Sequence, residues 1–239
     1  MILKTAPDAT AKSTDGRPQL SRSAVIERAF TIADAEGLAA VTIRRLAQEL
    51  GVTPMALYWH FKNKDELFDA IGDEVIAAIE LSSDTDAAWD ERLRVIVTNL
   101  VTVLRAHPSL ANLAATRIVA SEHGLELTEQ TLALLRGAGF NVAQAANLAH
   151  QALHTAIMLC SAEPGLELGV VDTDAVLEAK RARLAALPTH RYPNVIEAAD
   201  DLIDCDDEDF YYDAGIDLFI SGVLGMQQRL GRAKSVSAG

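Results

Sequence analysis

The chain has 239 residues, of which 49% are hydrophobic and only 5% aromatic, with 34 Asp and Glu against 21 Lys and Arg for a formal net charge of −13. That apolar content excludes wholesale disorder, and a composition rich in Ala and Leu but poor in aromatics favours packed helices over a sandwich or barrel. The acidity argues at first against a polyanionic partner such as DNA, a conclusion that depends on where the charge sits.

Residues 1–22 carry Lys4, Lys12, Arg17 and Arg22 against Asp8 and Asp15 and read as a mobile arm. Residues 23–36 follow as a helix, with Val25, Ile26, Ala29, Phe30 and Ala33 at helical spacing, Ser21 or Ser23 as its cap and Gly37 as its stop. Thr42 caps a second helix whose inner face is Ile43, Leu46, Ala47 and Leu50, ended by Gly51. Thr53-Pro54 is a cap followed by a first-turn proline, and it opens a third, short helix reaching to about Phe61. A turn at Lys62-Asn63 leads into a longer amphipathic helix from Lys64 to about Glu80, on Leu67, Phe68, Ile71, Val75, Ile76 and Ile79. Beyond a polar break at 82–86, residues 87–106, 108–120, 125–137, 141–161, 173–187, 194–203 and 210–230 read as helices, with 162–172 as a long loop. The expected class is all-α, with an N-terminal three-helix domain at 23–70 and a C-terminal helical domain at 71–239.

Charge divides along the same line. Residues 1–70 carry nine groups of each sign, whereas residues 71–239 carry twelve basic against twenty-five acidic. Within 42–64, Arg44, Arg45, Lys62 and Lys64 face Glu49 alone. A neutral to locally basic head on an acidic body leaves a DNA partner open to the head.

Helix, Gly-containing turn and short helix over 42–61 is a helix-turn-helix pattern. The second helix has to be slim to enter a major groove about 12 Å wide. Thr53 and Pro54 leave its N-terminus facing outward, where free N–H groups suit a phosphate, and Met55 and Ala56 are small or apolar enough to meet thymine methyls. Leu57 and Phe61 are expected to face inward. Tyr58, Trp59 and His60 cannot all be buried on so short an element: Tyr58 and His60 suit phosphate donation and Trp59 is expected to stack into the domain, while a purely packing role for all three is equally open.

The stretch VTIRRLAQELGVTPMALYWHFKNKDELFDAI, with ALYWHFKNKDELFDA at its centre, resembles the DNA-binding segment of the tetracycline-repressor (TetR) family, whose hallmark reads broadly L-Y-x-H-F/V-x-x-K-x-x-L. The resemblance spans residues 23–75. It implies an all-helical homodimer with a three-helix DNA-binding head and a C-terminal domain that binds an effector and dimerises. Carried over by position, it sets Thr42 and Arg44 near phosphate or base edges, Thr53, Pro54, Met55 and Ala56 in the groove, and Tyr58, His60 and Lys64 on the backbone; Trp59 completes the DNA-binding candidates. The C-terminal part resembles the tetracycline repressor's own class through Ala88-Trp89, Leu104-Arg105, Gly139-Phe140 and FYYDAGIDLFISGVLGMQQRL. The magnesium-tetracycline site of that class uses a His that would fall near Leu113 or Ala114, and no His stands there, so tetracycline is not the expected ligand.

For the body, Ile96, Leu100, Val103, Leu113 and Met158 with Asn99, Arg117, Gln151 and His154 are the effector candidates, a lining suited to a small, largely apolar molecule. His154 roughly matches a pocket His of the tetracycline repressor, and a buried Arg117 would need an anionic partner. Small residues recur on two helices, at Ala145, Ala149, Ala152 and Ala156 and at Gly215, Leu218, Gly222 and Gly225, and these stripes are the expected dimer face. His150 and His154 have the i,i+4 spacing of a metal edge but no third ligand, so no metal and no cofactor are expected. The acidic run 204–213 lacks the glycine and alternation of a calcium loop and reads as a solvated segment. Cys160 and Cys205 form no framework, no 18-residue apolar run suggests a membrane span, and no signal-peptide core is evident, so the protein is expected in the cytoplasm. No enzymatic motif is present. The expected function is a ligand-responsive repressor that binds a pseudo-palindromic operator as a homodimer; an activator, an effector-free regulator or a helical small-molecule binding module are the alternatives.

Overall fold

A computed structural model of the chain describes residues 20–80, 86–161, 173–203 and 207–237. The described residues form twelve α-helices and two short 3-10 turns, with no strand among them, as an all-α chain should. The arm up to residue 19, the loop at 162–172 and residues 204–206, Cys205 included, lie outside the described residues.

The head is built from α1 (Arg22–Glu36), α2 (Ile43–Glu49), α3 (Pro54–Tyr58) and the start of α4 (Lys64–Ala77). Each N-terminus is closed by a short polar side chain that accepts an otherwise orphaned N–H. Ser21 takes the N–H of Ala24 at 3.1 Å, Thr42 that of Arg45 at 3.1 Å, Thr53 that of Ala56 at 3.4 Å and Asn63 that of Glu66 at 2.8 Å. Gly37 ends α1 at φ 82°, a left-handed value that costs glycine little. Val25, Ala29, Leu46, Leu57, Phe61 and Leu67 close the interior of the head.

The body consists of α5 (Trp89–Ala106), α6 (Ala111–Arg117), α7 (Glu122–Gly137), α8 (Val142–Ser161), α9 (Thr173–Ala185), α10 (Pro193–Glu197), α11 (Ala199–Ile203) and α12 (Glu208–Ser237). Helix α8 packs against α5, α6, α7 and α12, whereas α9, α10 and α11 pack chiefly on one another. The stretch expected as one helix at 108–120 is a 3-10 turn at Pro108–Leu110 followed by α6, and that at 194–203 is the pair α10 and α11. The acidic run is also revised. Asp207 accepts the N–H of Phe210 at 2.9 Å, and Glu208 and Asp209 open α12 while pairing with Arg105. Carboxylates in a first helical turn complement the helix dipole, so this part of the run is structured rather than merely solvated.

One continuous apolar cluster joins head and body, running from Val25 through Ile71, Val75 and Ile76 to Leu104 and Val223. Position 70 falls inside α4, which packs on α1 in the head and on α6 and α7 in the body. Two polar clamps reinforce the junction. Arg117 on α6 donates from Nε to Asp73 at 2.7 Å and pairs with Asp69 at 2.9 Å, both on α4. On the other side His107 Nδ1 lies 2.9 Å from Asp34 on α1, and the Ser109 hydroxyl donates to the Ala33 carbonyl at 2.9 Å. No helix among the described residues is long and apolar enough to cross a membrane.

Candidate nucleic-acid interface

Helix α3 is five residues long, and one of those, Leu57, is buried and anchors it to the head. Its remaining surface is outward. Thr53 and Pro54 are exposed at the helix start, Met55 is 68% exposed, and Tyr58 is 47% exposed at its end. Trp59 is 86% exposed, so the expectation that it stacks into the domain is wrong. Leu57 and Phe61 are both fully buried, as expected, and a residue two positions past Leu57 is rotated about 200° away from it. The indole therefore projects on the side opposite the core.

The turn after α3 is held from a direction that sequence patterning missed. Arg22, assigned to the arm, is the first residue of α1; its guanidinium donates to the His60 carbonyl at 2.9 Å and lies 4.4 Å from the centre of the Phe61 ring. It also pairs with Glu66 at 3.4 Å. Glu66 in turn accepts the Lys62 N–H at 2.8 Å while its own N–H is taken by Asn63, a reciprocal arrangement close to a capping box. The Lys62 N–H above all, with the Arg22 guanidinium, holds the Glu66 carboxyl below its usual range. The signal was present as Asn63-x-x-Glu66, the N-cap pattern.

The adjacent arginines of α2 have different fates. Arg45 is tied to Glu36 at 2.7 Å and to Glu49 at 3.0 Å, and those two carboxylates raise its pKa further. Arg44 is exposed and has no ion pair among the described residues, so its charge is available to a partner. Thr42 and Thr53 spend their hydroxyls on helix caps. Lys64 places its ammonium 4.6 Å from the centre of the Phe68 ring instead of extending past the α4 terminus; that is a weak tether a phosphate can outcompete. His60 is half-buried, and Ala56 lies between Met55 and Leu57 with partial exposure.

A family model described as bacterial regulatory proteins, tetR family, matches residues 25–71, and one described as tetracyclin repressor-like, C-terminal domain, matches residues 82–227. The chain belongs to the tetR family.

Among individual relatives of this TetR-family regulator, the HTH-type transcriptional repressor DrrR1 of Streptomyces coeruleorubidus is 34% identical over 124 residues, 52% of this chain and 46% of that protein. The chain spans about half the length of the curated relatives it matches. Crystalline ActR of Streptomyces coelicolor in complex with actinorhodin is 28% identical, covers 88% of this chain and 99% of its own, and superposes with a TM-score of 0.66. BioQ crystallised with its natural double-stranded DNA operator is 35% identical, covers 60% of this chain and 89% of its own, with a TM-score of 0.53.

In the TetR-type body, the nine effector candidates do not converge on one cavity. Ile96 and Leu100 are buried in the core, with Val103 and Leu113 partly buried beside them. Asn99 is spent donating to the Glu80 carbonyl at 2.9 Å. Arg117 has its anionic partners within the chain, Asp69 and Asp73, rather than in an effector. Gln151, His154 and Met158 point outward from α8, with Met158 65% exposed. Aliphatic periodicity marks an inward face and cannot separate a cavity from filled core.

The dimer stripes are likewise divided. Ala145, Ala152 and Ala156 are buried and Ala149 is partly buried, so the small face of α8 packs within the chain. Gly215 belongs there too: a Cβ at that position would sit 2.4 Å from Leu159 of α8. Gly225 faces the guanidinium of Arg229, while Leu218 and Gly222 remain exposed. Small residues permit close approach of any helix, and on α8 the approaching helix is intramolecular. His150 and His154 stack edge to face with centroids 4.0 Å apart on the outward side.

Proposed function

We propose that the chain is a ligand-responsive transcriptional repressor that binds a pseudo-palindromic operator as a homodimer and is released by a small organic effector held in the body. The observation that carries this reading is the head: a short α3, pinned by Leu57, presents Met55, Tyr58 and Trp59 outward beside the uncommitted guanidinium of Arg44. In this reading Thr53, Pro54, Met55 and Ala56 meet base edges in the major groove, and Thr42, Arg44, Tyr58, Trp59, His60 and Lys64 meet the backbone at its rim. That DrrR1 is a repressor, that BioQ was crystallised on an operator and that ActR was crystallised with actinorhodin all support it.

Two heads are needed because one short helix reads few bases, and pairing them makes the second contact effectively intramolecular. The outward faces of α8 and α12, with Met158, Leu218 and Gly222, are the pairing surface. Effector binding shifts the body toward a conformation with mis-spaced heads, and a coupling of about 1–3 kcal/mol gives ~5–150-fold release. The acidic body repels phosphate, so non-specific DNA binding is weak and specificity rests on head spacing.

Selection of the full-length protein against a random duplex pool tests the reading. Recovery of an inverted repeat whose half-sites lie about one helical turn apart, bound by two chains, is the expected result. Recovery of no enriched sequence at low salt sinks it.

A further inference from the structure

The first turn of α5 and the facing side of α7 flank an open cleft of about 370 Å³ lined by Trp89, Arg92, Gln130 and Leu134. Helix α5 has 18 residues and ends beside the head, where the next residue, His107, meets Asp34; at 1.5 Å per residue its first turn lies more than about 20 Å from that junction. The cleft is therefore apart from the head, while Arg92 in its wall stands one helical turn from Ile96 on the same helix.

Arg92 is the unusual member. Its Nε is buried from solvent and has no hydrogen-bond acceptor among the described residues. Other arginines of the body are engaged: Arg94 pairs with Asp217, Arg105 with Glu208 and Asp209, and Arg117 with Asp69 and Asp73. The nearest acidic neighbour along the helix, Glu91, turns its carboxylate back to the Ala88 N–H at 3.3 Å. A desolvated guanidinium N–H without an acceptor is costly to keep, and because Arg92 also lines the cleft, an anion entering there offsets that cost by its charge. Beside it Gln130 supplies an amide with both donor and acceptor capacity. The remaining wall is apolar, with Trp89 set by an edge contact to Phe140 at 6.3 Å and 76°.

We propose that this cleft binds a small aromatic carboxylate, the planar carboxylate facing Arg92 and Gln130 and the ring lying against Trp89 and Leu134. A guanidinium matches a planar two-oxygen acceptor, and the indole favours a ring over a fully polar anion such as phosphate. The proposal concerns binding alone and stands whether or not the ligand releases an operator.

Calorimetry on the full chain with 2-naphthoate, against 2-naphthamide as the neutral isostere, tests it. The carboxylate is expected to bind at least about tenfold more tightly than the amide, and Arg92→Gln is expected to erase that preference. The chain has two tryptophans, so nitrogen-15 spectra contain two indole N–H peaks, assigned with Trp59→Phe; only the Trp89 peak should move. If Arg92→Gln fails to fold, the carboxylate-to-amide ratio and the Trp89 peak of the native chain still decide. Equal affinity for both probes, binding of neither, a preference that survives Arg92→Gln, or movement at Trp59 overturns the proposal.

Discussion

At the scale of single residues, charge availability separates the groups proposed to meet DNA from those that brace the head. Arg45 and Arg22 are committed to carboxylates and carbonyls within the head, whereas His60 and Lys64 stand at its rim with only a ring contact on the lysine. Replacing both, as His60→Ala with Lys64→Ala, should weaken operator binding and flatten the dependence of log K on log salt. Each lost phosphate contact removes a slope of about 0.9, so two residues in each of two heads give up to roughly 3.6. An unchanged slope in a salt titration would count against the phosphate assignment. Glu66 supplies a pH dependence. Its folded-state pKa lies below the unfolded value because the Lys62 N–H and then Arg22 favour the carboxylate. Its contribution is therefore complete above the ordinary glutamate value, about 4.3, and disappears as pH falls through the depressed one. Thermal melts of Glu66→Gln should decline less steeply than wild type as pH is lowered below that value; parallel curves would reject the assignment. Trp59 shows what single residues conceal. The size of an indole argues for burial, while its rotation from Leu57 argues for exposure; the rotation prevails because α3 is too short to offer a second wall.

At the scale of elements, helix existence was legible and helix partnership was not. Every stretch read as helical contains a helix among the described residues, although 108–120 opens with a 3-10 turn and 194–203 divides in two, and Thr42, Thr53, Gly37 and Pro54 mark ends where their chemistry places them. Partnership depends on space, which one strand of sequence does not record. The α8 alanines look like a stripe made for another chain, yet they accommodate helices of their own. Gly72 is a sharper case, since nothing in its neighbours marks it. A Cβ there would lie 2.6 Å from Arg117 Cγ and 3.3 Å from the Leu113 carbonyl oxygen. The Arg117 stem cannot swing away while Asp69 and Asp73 hold its guanidinium. Gly72→Ala should therefore destabilise by about 1–3 kcal/mol through forced displacement, despite the better helix propensity of alanine. A denaturant midpoint at or above wild type would show that α4 and α6 can slide apart freely.

At the scale of the whole molecule, the net charge misleads and its distribution informs: all of the acidic excess sits after residue 70. Under the proposed function, reading a symmetric site requires two chains to pair. Leu218 is 76% exposed on α12, and Leu218→Lys should shift sedimentation from two chains toward one at micromolar concentration, lowering operator affinity with it. A dimer of unchanged stability would move the pairing surface elsewhere. The continuous core through α4 carries one more consequence, for modular exchange. A graft that cut at residue 70 would leave Ile71, Val75 and Ile76, all buried, on the recipient side and strand the donor head without half of its supporting helix. A transplantable DNA-reading unit has to include α4 together with a body able to receive Asp69, Gly72 and Asp73, so heads and bodies of this architecture should recombine productively only when the α4–α6 contact is inherited as a matched pair.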